Sequence, residues 1–123
     1  MVAETKFENV SLLYFCEGEH ISEEFVLSVK NSVKRLTVGR NLSDMSSIID
    51  NIEVDVLLLD INPDRIPAEV LNTFLAKMKR KNENLSVIVV TKPSEFADNL
   101  IEADFVVSRE INPEQLRRLV ELC

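Results

Sequence analysis

The 123-residue sequence predicts an α/β protein, a doubly wound five-stranded parallel sheet with helices on both faces. Three observations carry this. Apolar runs without polar alternation, such as Val56-Leu57-Leu58-Leu59, read as strands buried on both sides. Segments with apolar residues at helical spacing separate those runs, so strand and helix alternate. The connections have crossover length, and right-handed crossovers close such a chain into one parallel sheet. No linker, repeat or low-complexity segment divides residues 1–123, which are expected to form one domain.

The first strand is Val10 to Phe15, apolar through Leu12-Leu13-Tyr14-Phe15, and it runs into the polar turn Cys16-Glu17-Gly18-Glu19-His20. Ser22 suits the cap of a first helix, with Glu23 and Glu24 in the turn where the helix dipole favours carboxylates. Phe25, Val29 and Val33 form its inner stripe, broadened by Val26. Leu36-Thr37-Val38 reads as a short edge strand. After the turn Gly39-Arg40-Asn41, Ser43 is the expected cap of a short helix with Met45, Ile48, Ile49 and Ile52 inward.

The central strand ends in Asp60 and is closed by Asn62, Pro63 and Asp64. A longer helix is expected from about Ala68 to Lys81, burying Val70, Leu71, Phe74, Leu75 and Met78. Leu85 to Val90 is a fourth buried strand ending at Thr91, and Ser94 opens a short helix with Phe96, Leu100 and Ile101. Phe105-Val106-Val107 is the fifth strand, ending at Ser108-Arg109. The last helix has the strongest start: Asn112 as cap, Pro113 at the first helical position and Gln115 completing a capping box. Its inner face is Leu116, Leu119, Val120 and Leu122.

Composition narrows the function classes. A net charge of -7 argues against direct nucleic-acid contact, which needs a basic stripe. Lys77, Lys79, Arg80 and Lys81, and the pair Arg117-Arg118, read as solvated faces. The start of the chain has no apolar signal region and no run approaches transmembrane length, so a cytoplasmic protein without membrane contact is expected. Two cysteines and one histidine, scattered, make neither a disulfide scaffold nor a zinc site. His20 reads as a surface residue and Cys16 as a buried strand-end thiol, with redox sensing the lesser reading.

The carboxyl ends of strands are where sites form in open α/β sheets. Four such ends present Glu17, Asp60, Thr91 and Arg109. Two carboxylates can hold Mg²⁺ through oxygen, and one can accept a phosphoryl group as nucleophile. A threonine hydroxyl can donate to that group, and an arginine can pair with it. The bland alternative is that strand ends are polar anyway, and that Asp60 is a turn acid.

On these residues the chain resembles the receiver domains of two-component response regulators, over about residues 10 to 122. Asp55 with Leu57-Leu58-Leu59-Asp60-Ile61 is similar to the phosphoacceptor strand. Val87-Ile88-Val89-Val90-Thr91 resembles the fourth strand with its switch threonine, and Ala103-Asp104 to Pro113-Glu114-Gln115-Leu116 the fifth strand and last helix. The resemblance implies a flavodoxin-like sheet of strand order 2-1-3-4-5. It also implies that Asp60 is phosphorylated by a histidine kinase, with Mg²⁺ held by Glu17, Asp60 and the carbonyl of Asn62. Thr91 would reorient and carry the change to the face of the fourth helix, fifth strand and last helix. The partner would be a kinase or other signalling protein, with an output domain beyond residue 123 or a homodimer through the last helix.

The sequence also departs from that family. Cys16-Glu17 stands where a pair of acids is usual, and Arg109-Glu110 where lysine and proline are. Pro63 comes one place early, Ala68 replaces a glycine, and the segment from Thr91 to Asp104 is short by about one helical turn. A degenerate member that binds or dimerises without being phosphorylated is therefore the alternative, its cue an ion pair between Arg109 and Asp60. An enzyme would need a second convergent polar group, and a flavin site would need a phosphate-cradling loop where Glu17-Gly18-Glu19 would repel phosphate.

Overall fold

The computed structural model describes residues 10–16, 27, 33–39, 41–61, 66–91, 99, 100, 102–108 and 111–122. The strands are β1 (Ser11–Cys16), β2 (Arg35–Gly39), β3 (Val56–Asp60), β4 (Ser86–Thr91) and β5 (Phe105–Ser108). They pair in parallel as β2-β1-β3-β4-β5, the order expected. The helices are α1 (Leu42–Asn51), α2 (Ala68–Lys81) and α3 (Pro113–Leu122). The segments expected to hold the first helix and the short helix from Ser94 lie outside the described residues, apart from a few positions.

Every residue of β3 is buried, and β4 is buried from Val87 to Thr91. Period-two alternation then divides the core between the two faces of the sheet. One face joins Leu13, Phe15, Leu57, Leu59, Val87 and Val89 to Met45 of α1 and Leu71, Leu75 and Met78 of α2. The other joins Leu12, Tyr14, Val56, Leu58, Ile88 and Val90 to Leu116 and Val120 of α3. Each fully buried leucine or methionine contributes about 1.5–3 kcal/mol of transfer free energy. Such two-sided burial is why the strand sequences carry no polar alternation. The outer strands pay less attention to it: Val38 of β2 and Val106 of β5 are 46% and 37% exposed.

Local expectations hold in the main. Ile48, Ile49 and Ile52 pack half-buried against the core beside Met45. The capping box of α3 is formed, Asn112 Oδ1 accepting from Gln115 N–H at 2.8 Å and Gln115 Oε1 from Asn112 N–H at 3.4 Å. Two expectations are corrected. The cap of α1 is Asn41, not Ser43: its Oδ1 accepts from Asp44 N–H at 2.8 Å, and Ser43 already lies inside the helix. Asn is at least as good a cap as Ser, and its extended backbone follows directly from β2. Val70 is half exposed, because the buried stripe of α2 is the narrow i, i+4, i+7 set Leu71, Leu75, Met78 and one residue turns the helix by about 100°.

Candidate functional site

The central strands end side by side. Cys16 stands in register with Asp60, Asp60 with Val90, and Thr91 with Ser108. Ile61 N–H donates to Val90 O at 3.2 Å, which carries the β3–β4 ladder past Asp60 and fixes its backbone. Asp60 is 4% exposed and Thr91 1%; with Ser11 they are the buried polar residues among those described. Strand alternation sends the Asp60 side chain to the face of Val56 and Leu58, and that of Thr91 to the face of Val87 and Val89. Thr91 Oγ1 is buried and has no hydrogen-bond partner among the described residues. A hydroxyl in that state forgoes about 1–3 kcal/mol.

Two of the five residues expected at the site are therefore placed at adjoining strand ends. The other three, Glu17, Asn62 and Arg109, lie outside the described residues, as does Glu110. Among the described residues no group of three or more His, Cys, Asp or Glu side chains could hold a metal. A shallow groove lined by Ala76, Lys79, Arg80, Glu83 and Glu102 lies at the other end of α2, from which the chain enters β4. Its mixed charges sit apart from the strand carboxyl ends.

The amino ends of the strands and the helix beside them hold polar residues whose work the sequence does not announce. Asp55, just before β3, accepts Ser11 N–H on Oδ2 at 2.8 Å and donates its own N–H to Ser11 O at 2.9 Å. Asp104, just before β5, does the same with Val87, at 2.7 and 2.9 Å. Asn72 of α2 donates to Asn99 O at 2.7 Å and accepts from Glu102 N–H at 3.5 Å, and Asn82 Nδ2 donates to Val54 O. The only sequence signal for the two aspartates is an acid immediately before an apolar strand.

The sheet order is that of a flavodoxin-like α/β fold, with a buried acid at the end of the central strand, and its solved matches give it as the CheY-like receiver domain fold. A CheY-like response regulator receiver domain protein from Methanospirillum hungatei JF-1 superposes with a TM-score of 0.72 at 17% identity, over 93% of this chain and 92% of its own. The BeF3-activated DrrB receiver domain gives 0.73 at 19%, over 93% and 96%. A response regulator receiver modulated diguanylate cyclase from Pelobacter carbinolicus gives 0.71 at 16%, over 92% and 90%. No family model and no curated protein matches the sequence. Identities this low carry the fold and nothing finer.

Proposed function

We propose that residues 1–123 form one signal-transduction receiver domain that accepts a phosphoryl group on Asp60 from a histidine kinase. The observation that carries this is a buried carboxylate at the carboxyl end of the central strand of a receiver fold, with a buried threonine at the end of the next. In the transfer, the phosphorus–nitrogen bond of a phosphohistidine breaks and a phosphorus–oxygen bond forms at an Asp60 Oδ. The product is an acyl phosphate, and the histidine leaves with the electron pair of the broken bond.

The donor set suits a hard cation: Asp60, Glu17 and the Asn62 carbonyl offer oxygen, and would hold Mg²⁺. The ion supplies charge neutralisation at the transferring group. Arg109, the next residue in the sequence after Ser108, would pair with the phosphoryl oxygens. The buried hydroxyl of Thr91 supports a switch. Swinging from its own face toward Asp60 would give Oγ1 an acceptor and change packing near β5 and α3.

A second reading rests on the sequence departures at Cys16, Arg109 and Glu110: a pseudo-receiver that is not phosphorylated and serves as a protein-binding or dimerising module. Beryllium fluoride with Mg²⁺, followed by amide chemical shifts, separates the two. Phosphoacceptance predicts saturable, Mg²⁺-dependent shifts at Asp60 that reach Thr91 and α3 and vanish in Asp60→Asn. Unchanged spectra at millimolar metal would leave the binding module.

A further inference from the structure

We propose that Asp55 and Asp104 are a matched pair of register pins, positioning residues that set the candidate site from the amino ends of the strands. The site assignment rests on the reading above; the pinning itself does not.

The need for such pins follows from the strand sequences. Register is strongly specified where one face is apolar and the other polar, because a slip of one residue exposes the wrong face. Here Leu12-Leu13-Tyr14-Phe15 faces Val56-Leu57-Leu58-Leu59, apolar on both sides. Likewise Ile88-Val89-Val90 faces Phe105-Val106-Val107. A slip of two residues would leave every side chain on its own face, so the face pattern does not oppose it. The face pattern alone therefore leaves these pairings underdetermined, and a polar contact has to choose among them.

Both aspartates make the contact that does so. Each accepts the N–H of one residue on the preceding strand of the sheet and donates its own N–H to the carbonyl of that same residue. The closed pair of bonds exists in one register only. For Asp55 the partner is Ser11, the first residue of β1; for Asp104 it is Val87 of β4. The Asp55 carbonyl also accepts Ser86 N–H at 3.0 Å, so that one residue joins β1, β3 and β4. Lys79 of α2 reaches both oxygens of Asp104, at 3.3 and 3.2 Å, holding the carboxylate in place.

The spacing gives the pins their consequence. Asp60 follows Asp55 by five residues, and Arg109 follows Asp104 by five. About 16 Å of strand, at 3.3 Å per residue, separates Asp55 from Asp60, and about 13 Å separates Asp104 from Ser108. A slip of two residues would move Asp60 by about 7 Å against Cys16, and Ser108 by as much against Thr91.

The test reads amide resonances and inter-strand nuclear Overhauser effects in Asp55→Ala, Asp104→Ala and the two Asn variants, which keep an acceptor oxygen. It is done without metal or beryllium fluoride, so failure of phosphoacceptance leaves it standing. Expected are doubled or shifted amides at Cys16 and Asp60 in Asp55→Ala, and at Thr91 and Ser108 in Asp104→Ala. The Asn variants should show the single parental set. Asp104 precedes an edge strand, so its variant decides the matter if Asp55→Ala does not fold. Unchanged resonances at Thr91 and Ser108 in Asp104→Ala, or Asn variants that behave like the Ala ones, would overturn the proposal.

Discussion

At the scale of single residues, Thr91 presents the clearest tension. Its hydroxyl is buried with no hydrogen-bond partner among the described residues, in a strand whose other buried residues are Val and Ile. A residue selected for packing alone would be valine. Thr91→Val is expected to leave stability unchanged or raise it by up to about 1 kcal/mol in urea titration, since it removes a desolvated group without removing a bond. The same variant should lose the spread of beryllium fluoride shifts to α3 while keeping those at Asp60. A loss of several kcal/mol would instead mark the hydroxyl as a structural partner. Asp60 and Thr91 were legible in the sequence because an apolar run that stops at one polar residue locates its own end. The roles of Asp55 and Asp104 were not, because a hydrogen bond to Ser11 or Val87 depends on which strand lies alongside.

At the scale of elements, β2 and α1 pack closely at one point. A Cβ placed on Gly39, the last residue of β2, would fall well inside van der Waals contact with Met45 Sδ. Met45 is fully buried, so its sulfur has little room to give way. Gly39→Ala is expected to destabilise by about 1–3 kcal/mol through overpacking, measured as a lowered urea midpoint at constant slope. Trimming the obstacle in Gly39→Ala/Met45→Ala should make the two losses less than additive, and strict additivity would count against the clash. The turn Gly39-Arg40-Asn41 reads from sequence as a simple break, yet its first residue is fixed by a methionine six places on. Caps show a similar limit. Asn112 and Gln115 form a pattern that leaves one choice, whereas Asn41 and Ser43 both suit a cap, and only the path of the chain out of β2 decides between them.

For the whole molecule, strand–helix alternation and doubly apolar strands were enough to give the sheet, its covering layers and its edges. Periodicity does not report how wide each buried stripe is, so it assigns Val70 inward although the side chain is half exposed. The joint between α2 and β4 has a consequence for how the chain can be divided. Glu83 and Asn84 are exposed at the turn, which Leu85 N–H closes on Asn82 O at 3.1 Å. Asn82 is independently hitched to Val54 O, and Ser86 to Asp55 O, so neither flank depends on the peptide between them. Two separate chains, residues 1–83 and 84–123, should therefore reassemble by adding β4, β5 and α3 to the β3 edge. Coexpressed, they are expected to copurify in equal amounts with the circular dichroism of the intact chain, and recovery of unpaired halves would refute it. A protein whose two pieces find each other in this way could report, by complementation, on whatever brings their carriers together.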